Sequence, residues 1–116
     1  MNILNAVKSG IVSGTTASGY VEAVRVDTRG CGPQGKFLAL ITNLDSSASM
    51  YYKIDGYPAD PTGALSGKAV AIKAETSIAA STTITQTDAD KNYAAIVISV
   101  KQNSGAGNYQ IDYTTY

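Results

Sequence analysis

The chain has 116 residues and a mass of 12.0 kDa, which predicts one domain able to bury a single core. Its nine basic and nine acidic residues cancel, and no segment concentrates positive charge, so we expect no nucleic-acid partner. It has no histidine and one cysteine, so the usual general base, the usual zinc ligand and an intrachain disulfide are all missing. We therefore expect no enzyme, no metal and no cofactor.

The first 19 residues are rich in Gly, Ser and Thr around the apolar pair Ile11 and Val12. This composition predicts either an N-terminal arm or a first strand over 1–19, followed by a β-sandwich domain over 20–116. The segment lacks the pattern of a signal peptide, and the chain has no apolar run long enough to span a membrane. We therefore expect assembly in the cytoplasm and no membrane partner.

Runs of β-branched and apolar residues, separated by clusters of Gly, Ser, Thr and Pro, predict short strands joined by turns. Two runs, 37–41 and 94–100, are continuously apolar, as in strands covered on both faces of a sheet. Others alternate between apolar and polar residues, as in strands with one buried face. The predicted strands, in chain order, are 20–27, 37–41, 50–54, 68–74, one or two strands within 78–87 that break near 80–81, 94–100 and 109–113.

Seven or eight short strands at this spacing predict an all-β fold. We expect an antiparallel β-sandwich that is either immunoglobulin-like or a jelly roll. Within 68–74, Val70 and Ile72 are predicted to point inward.

Tyr93 follows the turn residues 88–92 and precedes the apolar run 94–100. In immunoglobulin-like sandwiches, a tyrosine at the start of the penultimate strand donates a hydrogen bond to the backbone a few residues upstream. We therefore predict that Tyr93 is a structural tyrosine corner, with a role in folding rather than in binding.

The residues with chemical potential are few. Cys31 lies in a Gly-rich loop near Arg29, but no base and no second cysteine accompany it, so we interpret it as a structural or incidental thiol. The acidic pairs within 55–60 and 88–90 supply too few oxygens for calcium, and we interpret them as turn residues.

Tyrosine accounts for eight of the nine aromatic residues. Exposed tyrosine is enriched in protein interfaces, because its ring is apolar and its hydroxyl can bond. We predict an interface that uses four tyrosines outside the core: Tyr51, Tyr109, Tyr113 and Tyr116.

Three segments are distinctive: Met50-Tyr-Tyr-Lys-Ile-Asp-Gly-Tyr57, Ile96-Val-Ile-Ser-Val-Lys101 and Gly105-Ala-Gly-Asn-Tyr-Gln-Ile-Asp-Tyr113. They resemble segments of small β-sandwich structural proteins of bacteriophage virions. The resemblance implies a head or tail accessory protein, such as a capsid decoration subunit. It implies no catalytic residue.

Two functions of different classes follow. The first is a virion structural protein, a capsid decoration or cement subunit, which forms a homo-oligomer, contacts other virion proteins such as the major capsid protein, and assembles in the host cytoplasm. The alternative is a carbohydrate-binding β-sandwich module, with Tyr51, Tyr57 and Tyr116 as stacking platforms. A third reading, the subunit of a non-viral surface filament, is disfavoured by the missing leader pattern.

Overall fold

The computed structural model describes residues 8–28, 37–57, 69–88, 93–102 and 107–115, which contain eight strands and no helix. The predicted all-β sandwich is therefore confirmed. The strands are β1 (Lys8–Thr15), β2 (Val21–Asp27), β3 (Phe37–Asn43), β4 (Met50–Tyr57), β5 (Val70–Ile78), β6 (Thr83–Asp88), β7 (Ala95–Lys101) and β8 (Asn108–Thr115).

The eight strands form two antiparallel sheets of four. The first sheet has the order β1-β8-β3-β6, and the second has the order β2-β7-β4-β5. The pairs are nested, because β1 joins β8, β2 joins β7, β3 joins β6 and β4 joins β5. This is the wrapping of a jelly roll, in which one long hairpin is folded into two sheets. Of the two predicted sandwiches, the jelly roll is the observed one.

The core lies between the sheets and follows the period-2 alternation of the strands. In β4 the even-numbered residues from Met50 to Gly56 are buried and the odd-numbered residues are half-buried, which confirms the alternation predicted over 50–54 and extends it into the predicted loop. The buried core residues are Val24, Val26, Phe37, Ala39, Ile41, Met50, Tyr52, Ile54, Ile78, Ile96, Ile98, Val100, Tyr109 and Ile111.

The two continuously apolar strands differ in their environment. In β7 every residue from Ala95 to Val100 is buried, so the predicted cover on both faces is confirmed. In β3 the cover is on one face only, because Leu38 is half-buried and Leu40 is 37% exposed. The prediction of a doubly covered β3 is therefore wrong for this chain taken alone.

A polar cluster closes one end of the sandwich. Gln102 is buried, donates from Nε2 to Asp45 Oδ2 at 2.8 Å, and accepts from Thr16 Oγ1 at 2.9 Å. The buried Asn43 side chain donates to the backbone carbonyls of Ala48 at 2.8 Å and Ile78 at 3.1 Å. These bonds satisfy polar groups that burial would otherwise penalise, and they fix the loops to the strands.

The second sheet is less regular than the first. Its β4–β5 pairing shifts register on both sides of Ile54, and β2 shifts between Glu22 and Val24. Val70 lies opposite Gly56 at the start of the edge strand β5 and is 45% exposed, so it is not among the core residues. Ile72 packs against the core, as predicted.

Candidate interaction surface

The outer face of the first sheet is open to solvent and carries a few large apolar side chains among hydroxyl-bearing residues. It comprises the odd-numbered residues of β1 and β6 and the even-numbered residues of β3 and β8, and we call it the Leu40 face. Its large apolar side chains are Ile11, which is 69% exposed, Leu38 and Leu40. Most of its other residues are Ser and Thr.

The Leu40 face is almost uncharged. Among the residues that the structure describes on it, Asp112 alone carries a charge. Asp112 lies opposite Ile11 on one side and Leu40 on the other, and its carboxylate accepts a bond from Gln110 Nε2 at 3.1 Å. A face of this composition is suited to protein contacts, because little charge has to be desolvated.

A groove runs along β8 on this face. Its outer residues, Asp112 and Thr114, have smaller side chains than the flanking Ile11, Leu38 and Leu40. The concavity measures about 380 Å³ and is open to solvent along its length. It is too shallow to enclose a small molecule, since ligand sites bury most of their ligand.

The outer face of the second sheet is covered by its own side chains. The Tyr20 hydroxyl donates to Glu75 Oε1 at 2.6 Å, and Lys101 Nζ lies 3.2 Å from the same oxygen. The ammonium groups of Lys53 and Lys101 lie 4.7 and 5.0 Å from the centre of the Tyr20 ring. Since Lys53 pairs with Ser99 in register, this cluster lies over the outer side of β7.

The electrostatics of this cluster follow from its geometry. Burial, and then the bond to Glu75 with its negative charge, raises the pKa of the Tyr20 hydroxyl above its usual range. The hydrogen bond from Tyr20, followed by the contact with Lys101, lowers the pKa of Glu75. The groups satisfy one another, so the cluster stabilises this face and offers no reactive group.

Tyr51 and Tyr57 lie on this second outer face and are half-buried. Lys101 Nζ lies 5.7 Å from the centre of the Tyr51 ring, and the Arg25 guanidinium carbon lies 5.1 Å from that of Tyr57. Each tyrosine therefore has a cation over its ring. The predicted role of Tyr51 in an interface stays a prediction.

The tyrosines of β8 face inward. Tyr109 is 7% exposed and belongs to the core, so its predicted position outside the core is wrong. Tyr113 is half-buried and packs against the core. The physical reason is the glycines of β1, since Gly14 and Gly10 leave the space that these two rings fill. Tyr116 lies outside the described residues.

Tyr93 lies just before β7, the penultimate strand, as a tyrosine corner requires. Its ring lies against Gly56, where a Cβ atom would come 2.5 Å from ring carbon Cδ1. Thr28 Oγ1 donates to its backbone carbonyl. The upstream residues 89–92 lie outside the described part, so the corner hydrogen bond stays a prediction.

The remaining candidates show no site chemistry. No group of three or more Cys, Asp or Glu residues suited to a metal occurs in the described part of the chain. Asp55 lies 3.9 Å from Lys53 as an ion pair. Cys31, Asp60 and Asp90 lie outside the described residues. Among those residues, no helix is long and apolar enough to cross a membrane.

Sequence reasoning missed the Leu40 face as a functional surface. Its signal was present in the unbroken apolar run Phe37–Ile41, which has more apolar residues than a strand with one covered face needs. A continuously apolar run predicts that both faces of the strand are covered, but it does not show whether the same chain or a partner supplies that cover.

By sequence, no protein-family model and no curated protein matches this chain. By structure, it is similar to the Yersinia pseudotuberculosis-derived mitogen, with a TM-score of 0.57, 16% identity and coverage of 96% of this chain and 86% of that one. It is similar to PirA, with a TM-score of 0.56, 14% identity and coverage of 97% and 96%.

A third solved structure comes from Bacillus endospore appendages, described as a family of disulfide-linked pili. The TM-score is 0.54, the identity is 10%, and the match covers 98% of this chain and 94% of that one. At these identities the likeness shows a shared fold. None of the three is a phage virion protein, and all are small β proteins.

Proposed function

We propose that this chain is a structural subunit of a larger protein assembly and that it docks through the Leu40 face. The observation that carries the proposal is the contrast between the two apolar strands. In β7, outward residues such as Val97 are 3% exposed beneath side chains of the same chain. In β3, the outward residue Leu40 is 37% exposed, so its own chain covers it only in part. A docked protein would bury it.

The form of assembly that we propose is a phage particle, on which the chain acts as a capsid decoration or cement subunit, or as another head or tail accessory. The support is the resemblance of its sequence segments to such proteins. Those segments overlap β4, β7 and β8, which contribute core residues. The resemblance therefore concerns the sandwich fold that such subunits have. The partner in this setting is the major capsid protein or a second copy of the chain.

A filament offers a second form of the same function, because one structural neighbour comes from pili. Those pili are described as disulfide-linked. This chain has one cysteine, and a linear polymer held by disulfides needs at least two in each subunit. Disulfides alone therefore cannot link copies of this chain into a filament, and non-covalent contacts would be needed as well.

Carbohydrate binding has less support than protein docking. The cations over the rings of Tyr51 and Tyr57 occupy space that a stacked sugar would need. The largest open apolar side chains lie on the opposite sheet, at Ile11 and Leu40, where no described aromatic ring faces outward.

Photo-cross-linking in the native setting tests the proposal. The full chain, with p-benzoylphenylalanine in place of Leu40, is produced together with the other proteins of its source and irradiated. We expect a covalent product with a protein, identified by mass spectrometry. The matched control places the same group at Ser77, which is exposed on the opposite face, and gives no product. A folded chain that gives no product from position 40 would contradict the proposal.

A further inference from the structure

We propose that copies of this chain join edge to edge, with β6 of one copy pairing antiparallel to β1 of the next. Both strands are edges of the first sheet, since in the described part of the chain β1 pairs only with β8 and β6 only with β3. An edge strand presents backbone N–H and C=O groups along its free side, and these can pair with a strand of another chain. The Leu40 face stays open in this contact, so the inference goes beyond the proposed function.

The edges of the first sheet lack the features that protect an edge from pairing. Bulges and charged side chains are the usual protection. The second sheet has both, because its edge strands β2 and β5 shift register against their neighbours. They also contain charged residues, namely Glu22, Arg25, Asp27, Lys73 and Glu75. The β1–β8 and β3–β6 pairings run without a shift, and their edge strands have charged residues only at Lys8 and Asp88.

The directions of the strands let the two edges meet when the subunit is simply repeated. In the order β1-β8-β3-β6 each neighbouring pair is antiparallel, so β1 and β6 run in opposite directions. A second copy placed beside β6 in the same orientation therefore presents its β1 antiparallel to β6. The first sheets of the two copies then form one continuous sheet, with their Leu40 faces on the same side.

The register of the sheet brings opposite charges together across the new contact. Lys8, Thr115, Phe37 and Asp88 lie in one row across the sheet. When the row continues into the next copy, the lysine that begins its β1 falls beside the aspartate that ends β6. A contact between two copies of the same edge would bring together charges of one sign only. The charges therefore favour β6 with β1 over either edge with itself.

The uncharged residues of the following rows also match. On the outer side, Thr85 falls beside Ile11 of the next copy, a residue that is 69% exposed in the single chain. On the inner side, Ile84 falls beside Val12 of the next copy, and both residues pack against the core at its margin. Cross-strand pairs of β-branched residues stabilise antiparallel sheets. Both pairs also remove apolar surface from water.

This contact is heterologous, because it joins two different edges of the same chain. Each added copy leaves one β1 edge and one β6 edge free, so association continues past a dimer. Such a contact ends in a filament or in a closed ring.

Cysteine cross-linking of the purified full chain tests the pairing. In a Cys31→Ser background, Ile11→Cys and Thr85→Cys lie opposite each other in adjacent copies, at a Cα separation of about 4.5–5.5 Å that a disulfide can span. Within one copy these positions are three strands apart, about 14 Å, and no disulfide can join them. Mild oxidation should therefore give a ladder of linked oligomers on a non-reducing gel. Ile11→Cys with Ser77→Cys, which is exposed on the second sheet, is the matched control and should give no ladder.

Charge reversal tests the register. Sedimentation velocity on the wild-type chain, from about 1 µM to about 1 mM, should show association that grows with concentration. Lys8→Asp should weaken this association about threefold, because like charges then share a row. Addition of Asp88→Lys to that variant should restore the wild-type association, because the row again joins opposite charges.

Each other outcome overturns the inference. A wild-type chain that stays monomeric at about 1 mM, or a cysteine pair that gives no ladder, excludes the contact. Abundant dimers from Ile11→Cys alone would show a two-fold contact between β1 edges, and a double reversal that restores nothing would show another register. The proposed function fails separately, because it requires a protein at position 40, which this contact leaves open. Circular dichroism confirms that each variant is folded.

Discussion

Gly14 lies directly opposite Tyr109 in the pairing of β1 with β8, and the tyrosine ring crosses the inner side of the glycine. A Cβ atom on residue 14 would lie 2.7 Å from the Tyr109 hydroxyl oxygen and 3.0 Å from ring carbon Cζ. Gly10 and Tyr113 repeat the arrangement four residues away along the two strands. The rings fill space that glycine leaves and so stabilise an edge strand whose glycines have low strand propensity.

Substitution of this glycine should destabilise the fold. We expect Gly14→Ala to lower the free energy of unfolding by about 1–2 kcal/mol, because the added methyl group must displace the Tyr109 ring. Urea unfolding measures the change. The cost should be smaller in a Tyr109→Phe background, which removes the nearest atom. Ser13→Ala, on the exposed side of the same strand, should change stability by less than about 0.5 kcal/mol. Equal costs in both backgrounds would show that the two residues are not coupled.

The polar cluster at the end of the sandwich gives a second prediction. Gln102→Leu should destabilise the chain by about 1–3 kcal/mol, because the buried Thr16 hydroxyl and the half-buried Asp45 carboxylate each lose a hydrogen-bond partner. Differential scanning calorimetry at low concentration measures the loss. Gln110→Leu makes the same change at a half-exposed position and should cost less than about 0.5 kcal/mol. Similar losses for both variants would contradict a structural role for the cluster.

The pH dependence of stability should depend in part on Asp45. The backbone N–H of Ser47, followed by the Gln102 side chain, lowers the pKa of Asp45 below its ordinary value of 3.8. The folded state therefore holds the proton less tightly than the unfolded state does. Its contribution to stability is present above pH 3.8 and is lost as the pH falls through the lower, folded pKa.

Urea midpoints measured between about pH 5 and pH 2 test this sign. We expect the wild-type midpoint to fall in the acid range, and we expect Asp45→Asn to fall less steeply because its side chain does not titrate. A variant that keeps the full wild-type slope would show that other carboxylates, such as Glu75, account for the loss.

The turn between β5 and β6 contains a strained residue. Ser81 has a φ angle of 54°, and its N–H donates to the Asp45 carbonyl at 2.9 Å. A left-handed conformation costs a residue with a Cβ about 1–2 kcal/mol, and glycine adopts it freely. Ser81→Gly removes this cost, but glycine also gains conformational entropy in the unfolded chain, which offsets part of the gain. The net result should be a free energy of unfolding higher by about 0.5–1 kcal/mol. Thermal unfolding measures the gain, and Ala80→Gly, which should lower stability, is the control.

The sequence predicted the strands whose pattern is local. The alternation in 50–54 and the break near Ala80 and Ser81 were both visible in it. The structure at three glycines, Gly56, Gly10 and Gly14, was not predictable, because distant tyrosines decide it. Gly56 follows an aspartate, as in a turn, yet it lies within β4 because the ring of Tyr93 covers it. β1 is likewise a strand because Tyr109 and Tyr113 lie over its glycines.

The candidate surface was predictable in chemistry and not in position. The sequence indicated protein contacts, because it has no catalytic residues and is rich in tyrosine. A tyrosine ring can pack against glycines inside a sheet or lie exposed on its surface. The residues next to Tyr109 in the sequence therefore do not show which of the two positions it takes. Leu38 and Leu40 carried the better signal, but a sequence cannot show whether the cover of an apolar strand comes from the same chain.

Hydroxyl-radical footprinting of the Leu40 face tests the central claim most directly. Oxidation of Leu38 and Leu40 is compared between the dilute purified chain and the native assembly, with Tyr51 on the opposite face as an internal reference. We expect both leucines to be oxidised in the dilute chain and to be strongly protected in the assembly. Equal oxidation of the leucines in the two states would show that no protein covers the Leu40 face and would contradict the proposed function.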